Sequence, residues 1–320
     1  MSAASTTARG FRGRHLLGAG LVVTLLAATA LVVTDRAGGT ETALSSAAAS
    51  AFVEIHAVHG ASFVPALEGR RPLFILALGS DARPGQDILH ERADSIHLIG
   101  INLGRHRATV LGFPRDSWVP IPGFGTNKIN TAMADGGPPL LVRTVENLTG
   151  VTIDFWLLTS FNGLITMVSQ IGGLTVNVPQ NMHDHYSGSN FAKGIRHLTG
   201  RQALSFARDR HSFLNGDLTR SLNQGRLLVA ALSSLHARFA KDPAALFDWV
   251  AVLWKDVHTD LDLSTILDLA LTATQVPVSN VNNLIVPATV GNVGAVSVVF
   301  ILSSASAVYA DIRANGIVGS

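Results

Sequence analysis

The 320-residue sequence contains no cysteine, and aromatic and charged side chains make up only 6% and 14% of it. Without cysteine the chain can form neither disulfide bonds nor thiolate metal sites. The formal net charge is only +2, so the dense basic surface of a nucleic-acid-binding protein is not predicted. Hydrophobic residues account for 47% of the chain, which is enough for one large core.

The common nucleotide-binding and hydrolase motifs are also missing. No glycine-rich loop ends in Gly-Lys-Ser/Thr, no Gly-x-Ser-x-Gly motif occurs, and there is no His-Glu-x-x-His pair. The His-Asp-His run at 183–185 could bind a metal, but no third ligand follows at a recognisable spacing. Function therefore has to be inferred from residues at the ends of predicted strands and helices.

The N-terminal sequence predicts a membrane anchor. Residues 1–15 include three arginines and no acidic residue, and every side chain in 16–34 is apolar or small. Such a run is long enough for the ~30 Å hydrocarbon core, and its positive flank predicts a cytoplasmic N-terminus. A signal peptide cleaved near Ala28-Thr29-Ala30 is the alternative, although its apolar region would exceed the usual ~7–15 residues. We expect a cytoplasmic tail at 1–15, a transmembrane helix at 16–34 and a linker at 35–69.

Hydrophobic patterns in 70–320 predict one α/β domain outside the membrane. Strands are predicted at 73–78, 95–102, 108–113, 154–159, 174–178, 281–286 and 296–302, and the second and third are expected to form a hairpin. Helices are predicted at 130–150, 160–171, 199–207, 217–240, 264–274 and 304–315, with another starting near 242. The polar segment 180–197 reads as a loop. This mixture predicts a mixed β-sheet flanked by helices on both faces.

Two helix starts carry recognisable signals. Thr199 with Gln202 three residues later predicts a capping box. Asp217 is expected to cap the long helix that follows.

Charged residues stand where predicted strands and helices end. Asp81 follows the first strand, Asp94 precedes the second, and Arg115 comes directly after the proline that must end the third. Arg208 and Arg210 lie at the far end of a helix. Because arginine matches phosphate oxygens in two-point contacts and paired carboxylates hold Mg²⁺ with substrate phosphates, the pattern suggests a magnesium-pyrophosphate site. The same residues would also fit structural ion pairs.

Six segments together resemble the LytR-CpsA-Psr family. They are GSDAR at 79–83, RADS at 92–95, PRDSWVPIPGFGTNKIN at 114–130, TVENLTGVTID at 144–154, LTGRQALSFARDR at 198–210, and GDLTR at 216–220 followed by Gln224. The resemblance implies a phosphotransferase at the cell membrane that moves a glycopolymer from a polyprenyl-pyrophosphate carrier onto peptidoglycan. It also implies a cytoplasmic N-terminus, one membrane helix and an extracytoplasmic domain.

The resemblance assigns roles to individual residues. Asp81 and Asp94 match the family's magnesium-binding aspartates, and Arg115, Arg208 and Arg210 match its pyrophosphate-binding arginines. The remaining assignments are to substrate binding: Arg83, Arg92, Arg220 and Gln224, with Lys128 brought to the same region by the turn at 120–125. Where the family commonly has Arg-Gln-Gln, this chain has Asn223-Gln224-Gly225, so one cation is missing near the phosphates.

The implied reaction is phosphoryl transfer to a sugar hydroxyl of the wall, in which the protein mainly positions and neutralises charge. Asp94 is expected to act in catalysis, and either Asp94 or Asp116 could be the general base. The helix at 160–171 could line a groove for the lipid tail. Hydrolysis of the same pyrophosphate is an alternative, as is a non-catalytic membrane protein that senses polyprenyl lipids.

Overall fold

The computed structural model describes residues 53–57, 69–83, 85–254, 257–259 and 263–319. The predicted cytoplasmic tail at 1–15 and transmembrane helix at 16–34 lie outside these residues. Within the described part of the chain, no helix combines the length and the apolar character needed to cross a membrane.

The described residues form fifteen strands and seven α-helices. The strands are β1 Val53–Ala57, β2 Leu73–Ser80, β3 Ala93–Asn102, β4 Arg107–Gly112, β5 Trp118–Ile121, β6 Gly125–Lys128, β7 Phe155–Ser160, β8 Leu174–Val178, β9 Met182–Asp184, β10 Ser189–Phe191, β11 Gly194–Leu198, β12 Val257–Thr259, β13 Val281–Ile285, β14 Ala288–Val293 and β15 Val296–Ile301. The helices are α1 Thr131–Thr149, α2 Phe161–Gln170, α3 Gly200–Arg208, α4 Gly216–Phe239, α5 Ala245–Trp254, α6 Leu263–Thr274 and α7 Ala305–Asn315.

Seven strands form a central mixed sheet in the order β12-β1-β7-β2-β3-β4-β13. The β2–β3, β3–β4 and β1–β7 pairs are antiparallel, whereas β2–β7, β4–β13 and β1–β12 are parallel. The mixed sheet and the predicted hairpin, which is β3–β4, are therefore confirmed. β1 falls inside the segment 35–69 that was predicted to be a linker, so this sheet includes chain that precedes residue 70.

Helices pack on both faces of this sheet because the side chains of its central strands alternate between two clusters. On β2, Leu73 and Ile75 pack with residues of α5 and α6. Leu76 and Leu78 pack on the opposite face with residues of α1 and α7. The run 73–78 is therefore buried on both sides, as its unbroken apolar sequence predicts.

Local sequence signals explain the start of one helix, a break within another and one tight hairpin. α3 begins with the predicted capping box between Thr199 and Gln202. α1 is broken by Gly136 and Gly137, whose backbone angles are not helical; Gly137 has a φ of 65°, which glycine adopts without steric cost. A hairpin of β5 and β6 follows Arg115, and Gly123 and Gly125 take positive φ angles in it.

Two predictions are wrong. The segment 180–197 is not a loop, because it contains β9, β10 and most of β11, which pair in two small antiparallel sheets. These strands are only three to five residues long, and several of their buried positions carry polar side chains such as Asp184 and Ser189, so the sequence shows little hydrophobic alternation. Asp217 does not cap α4: the N-cap is Asn215, which makes no side-chain capping bond, and the carboxylate of Asp217 instead contacts arginines.

Candidate active site

The antiparallel pairing of β2, β3 and β4 brings three predicted site residues to one edge of the central sheet. β2 ends where β3 begins, with Gly79 opposite Ser95, and β4 ends beside the first half of β3. Asp81 follows β2, Asp94 is the second residue of β3, and Arg115 follows β4. These residues are separated in sequence, but they lie close together because β2, β3 and β4 pair in this register.

Asp94 and Arg115 form a close ion pair, with 2.5 Å between the Asp94 Oδ1 and Arg115 NH1 atoms. Asp81 lies within electrostatic range of both. Burial raises the pKa of Asp81, the negative charge of Asp94 raises it further, and the positive charge of Arg115 offsets only part of this. The two carboxylates therefore repel each other, and a cation bound between them would neutralise their negative charge.

The donor set of this aspartate pair fits a hard divalent cation. Carboxylate oxygens are the ligands that Mg²⁺ prefers, and proteins commonly supply only one or two of them while substrate phosphates and water complete the shell. Within the described ranges, no group of three or more His, Asp or Glu side chains is arranged to hold a metal, and this includes the run at 183–185. Asp81 and Asp94 could therefore supply two ligands of a Mg²⁺ ion whose other ligands are substrate phosphates and water.

Two further arginines are held by one carboxylate at the start of α4. The Asp217 Oδ2 atom lies 3.0 Å from NH2 of Arg210, and its Oδ1 atom lies 3.0 Å from NH2 of Arg220. Arg220 is almost fully buried. Burial lowers its pKa to about 10, with the nearby charge of Arg115 also lowering it and the charges of Asp217 and Asp94 opposing the change. Arg220 is thus still a cation at neutral pH.

Two arginines at this site have side-chain nitrogen atoms that make no hydrogen bond to the described residues. Arg115 Nε is buried and makes no hydrogen bond within the described structure. The guanidinium of Arg208 lies 5.2 Å from the ring centroid of Phe161 and forms no ion pair with any residue of the described part. Because an unpaired buried donor costs free energy, an anionic ligand oxygen at Arg115 would be favourable.

Gln224 connects the elements that carry these charges. Its side-chain amide donates to the Asp94 carbonyl oxygen at 3.2 Å and to the Ala207 carbonyl oxygen at 3.3 Å. One side chain of α4 is thereby bonded both to β3 and to the last turn of α3. This contact fixes the backbone positions from which Asp94 and Arg208 extend.

Most of these charged residues line a cavity of about 770 Å³. Six of the predicted site residues line it, namely Asp94, Arg115, Arg208, Arg210, Arg220 and Gln224. The remaining wall is mostly apolar and comes from α2, α4 and α5 and from β2 and β7, including Leu164, Met167, Val168, Leu227, Leu228 and Trp249. The helix predicted at 160–171 therefore does line an apolar groove beside the charges.

The other predicted substrate-binding residues do not line this cavity. Arg83 and Arg92 have exposed side chains near the two aspartates in sequence. Lys128 is held on Asp116, with 3.1 Å between Nζ and Oδ1, and Asp116 lies 3.9 Å from Arg115 Nε. Lys128 is thus linked to the cavity through Asp116 and Arg115.

Sequence reasoning missed three features of this site. Asp217 was assigned to a helix cap, although its spacing of three residues from Arg220 on a helix was a usable signal for an ion pair. Phe161 and the cavity residue His211 had no such signal. His211 contacts Asp184, which comes from the segment predicted to be a loop.

The sequence model of the LytR_cpsA_psr family matches residues 32–311 of this chain. The chain belongs to the LytR-CpsA-Psr family. Among curated relatives, it is 34% identical over 199 residues to polyisoprenyl-teichoic acid--peptidoglycan teichoic acid transferase TagU from Bacillus cereus. The match covers 62% of this chain and 63% of the relative, so the chain spans less than two thirds of that protein's length.

Solved structures share the LytR-CpsA-Psr fold with this chain. Protein gbs0355 from Streptococcus agalactiae matches with a TM-score of 0.68 at 20% identity, over 78% of this chain and 90% of that one. The LytR-CPS2A-psr family protein YwtF (TagT) with bound octaprenyl pyrophosphate lipid matches with a TM-score of 0.60 at 22% identity, over 78% and 92%. At these identities the likeness supports the fold alone.

Proposed function

We propose that this LytR-CpsA-Psr protein is a magnesium-dependent phosphotransferase that moves a glycopolymer from a polyprenyl-pyrophosphate carrier to peptidoglycan. The observation that carries the proposal is a single cavity that is lined both by Asp94 with four arginines and by a mostly apolar wall. A polyprenyl pyrophosphate has the same division between a charged head and an apolar tail. The name of the TagU relative and the lipid bound to YwtF support the same substrate class.

The arginines would bind the diphosphate through charge-assisted hydrogen bonds. Arg115 has an unused buried donor, Arg208 has no carboxylate partner among the described residues, and both line the cavity. Arg210 and Arg220 share the single carboxylate of Asp217, so this trio keeps a net positive charge. A diphosphate would complete the charge balance of the site.

In the proposed reaction a wall sugar hydroxyl attacks the phosphorus next to the glycopolymer. The bond from that phosphorus to the bridging oxygen breaks, and polyprenyl phosphate leaves with the bonding electron pair. Arg115, Arg208 and Arg210 neutralise charge that develops on the equatorial and leaving oxygens. Asp217, which also binds Arg220, orients Arg210 through their ion pair.

Asp81 and Asp94 would hold Mg²⁺ in this proposal. When bound, the ion supplies positive charge that offsets the diphosphate and relieves the repulsion between the two aspartates. Arg115 orients Asp94 through their ion pair. We further propose that residues 16–34 anchor the chain in the cell membrane with the N-terminus cytoplasmic and the active site outside.

The test is to incubate the full chain in detergent micelles with octaprenyl-pyrophosphoryl N-acetylglucosamine, MgCl₂ and peptidoglycan. We expect phosphorylated sugar to become covalently attached to the wall, and we expect chelation by EDTA to stop the transfer. Free sugar phosphate without wall-linked product would instead support a hydrolase.

Variants separate catalysis from lipid sensing. Asp81→Ala and Asp94→Ala should each abolish wall attachment, whereas the exposed carboxylate control Asp135→Ala should retain it. Normal polymer attachment in cells that carry both aspartate changes would favour a non-catalytic role and contradict the proposal.

A further inference from the structure

We propose that His211, held by the buried carboxylate of Asp184, is the general base that takes the proton of the acceptor hydroxyl. This inference rests on the proposed function and adds to it the residue that activates the acceptor. It is based on the contacts of the segment that follows α3. These contacts have no role in the proposed binding of the diphosphate.

Asp184 is a buried carboxylate at the end of β9 that also lines the cavity. Its Oδ1 atom accepts a hydrogen bond from the Tyr186 amide at 2.9 Å, and its Oδ2 atom accepts from the Arg210 amide at 3.2 Å. Burial would raise its pKa, but the bond from His211 and these backbone amides together hold the pKa far below its ordinary value. The carboxylate is thus a fixed negative charge.

The imidazole of His211 is the side chain that this charge orients. Its Nδ1 atom lies 3.1 Å from Asp184 Oδ1, while about half of the side chain is exposed at the cavity. An ionised carboxylate can only accept, so in the neutral imidazole Nδ1 carries the hydrogen and Nε2 has the free lone pair. The Tyr186 ring packs against the imidazole at a centroid distance of 4.8 Å.

The backbone under His211 is fixed by a second buried carboxylate. Asp209 accepts hydrogen bonds from the hydroxyl groups of Ser189 and Ser212 and from the Ser212 amide. The segment 209–212 is therefore bonded on both sides of His211 to the small sheet of β9 and β10. Such support positions a reacting group in advance, which is what a general base requires.

The carboxylates at the phosphate end are poorer candidates for the base. Asp94 is paired with Arg115 and is a proposed magnesium ligand, Asp116 is paired with Lys128, and Asp217 is shared by two arginines. Each of these carboxylates already has a cationic partner that occupies at least one of its oxygen atoms. His211, by contrast, directly follows the phosphate-binding Arg210 in sequence, and its partner is a carboxylate.

In the step that we assign, the acceptor O–H bond breaks and its proton moves to Nε2 of His211. The acceptor oxygen forms the new bond to phosphorus, and polyprenyl phosphate departs as described above. The imidazolium that results is stabilised by the Asp184 carboxylate until it releases the proton to solvent. The other charged or titratable groups near this imidazole are His185 beside Tyr186, Arg208, Arg210 and Arg220 in the cavity wall, and Asp217.

The experiment measures kcat and KM of the full chain in detergent micelles, with the octaprenyl-pyrophosphoryl N-acetylglucosamine donor and peptidoglycan as acceptor. His211→Ala should lower kcat by about 10²- to 10⁴-fold, as expected for loss of a general base, and should leave the KM for the donor within about threefold. Added imidazole should restore part of the lost kcat in His211→Ala. It should not restore activity in Arg115→Ala.

The matched control is His183→Gln, which changes an exposed histidine on β9 whose side chain forms no hydrogen bond or ion pair within the described residues. It should keep wild-type kcat. A His211→Ala enzyme with wild-type kcat, or one that imidazole does not rescue at all, would overturn the assignment while leaving the phosphotransferase proposal intact. A wild-type protein that transfers nothing would refute the proposed function itself, and the base assignment would fall with it.

Discussion

Lowering the pH should destabilise this protein through one buried histidine, His97 on β3. Its side chain is completely buried. Nε2 donates to the Ser221 carbonyl oxygen on α4 at 3.0 Å, and Nδ1 accepts from the Ser95 hydroxyl at 3.1 Å. Ser95 follows Asp94 and Ser221 follows Arg220, so the neutral imidazole connects the two elements that carry these charges.

Burial lowers the pKa of His97 from its ordinary value of 6.5 to about 4. Between these two values the unfolded chain binds a proton that the folded chain does not, so stability falls as the pH decreases through this window. A shift of about 2.5 units at ~1.4 kcal/mol per unit corresponds to about 3 kcal/mol in total. About 2 kcal/mol of this should be lost between pH 7 and pH 5.

Urea unfolding of the full chain in detergent, followed by circular dichroism at pH 7 and pH 5, measures this effect. His97→Gln removes the titrating group, so the free energy of unfolding of this variant should vary less with pH, by about 2 kcal/mol over the same interval. All other titrating groups are common to both proteins and cancel in the comparison. Equal pH dependence of the two proteins would refute the reasoning.

Three further substitutions test the site and its framework. Arg115→Ala should reduce turnover by at least about 10²-fold with the fold intact, because this side chain lies at the end of a strand; loss of the unfolding transition would show a structural role instead. Asp217→Ala should destabilise by about 3 kcal/mol in urea unfolding because it leaves a buried arginine unpaired, whereas the exposed Asp248→Ala should change little. Gly225→Ala should cost about 1–3 kcal/mol, since the new Cβ would overlap the Asn283 Oδ1 atom. Adding Asn283→Ala should recover part of that loss, and an unchanged loss would argue against this contact.

The departure from the family pattern at 223–225 has a packing explanation in this structure. Gly225 lets α4 approach β13 so closely that Asn283 occupies the space of a side chain there. Asn283 in turn donates to the Leu222 carbonyl oxygen at 3.0 Å. The glutamine that the family commonly has at position 225 would not fit without moving one of these elements.

Local sequence patterns were enough to predict the larger strands and helices. Long apolar runs and helical periodicity are local properties, so the strands near 73–78 and 95–102 and the helices near 217–240 and 304–315 were predictable within a few residues. The six motif segments and their order in the sequence predicted the family, and the match of the family model confirmed it. The short polar strands β9 to β11 were missed because three residues carry too little periodicity to be distinguished from a loop.

The pairing of charged residues, by contrast, depends on how distant elements pack together. The cavity is shared by Asp94, Arg208, Arg210 and Arg220 because the end of α3 and the first turns of α4 lie beside the start of β3, more than 100 positions away in sequence. The same packing made Asp217 a bridge between arginines rather than a helix cap, and it placed His211 on Asp184. Pairings of this kind depend on distances between elements, and sequence spacing does not encode those distances.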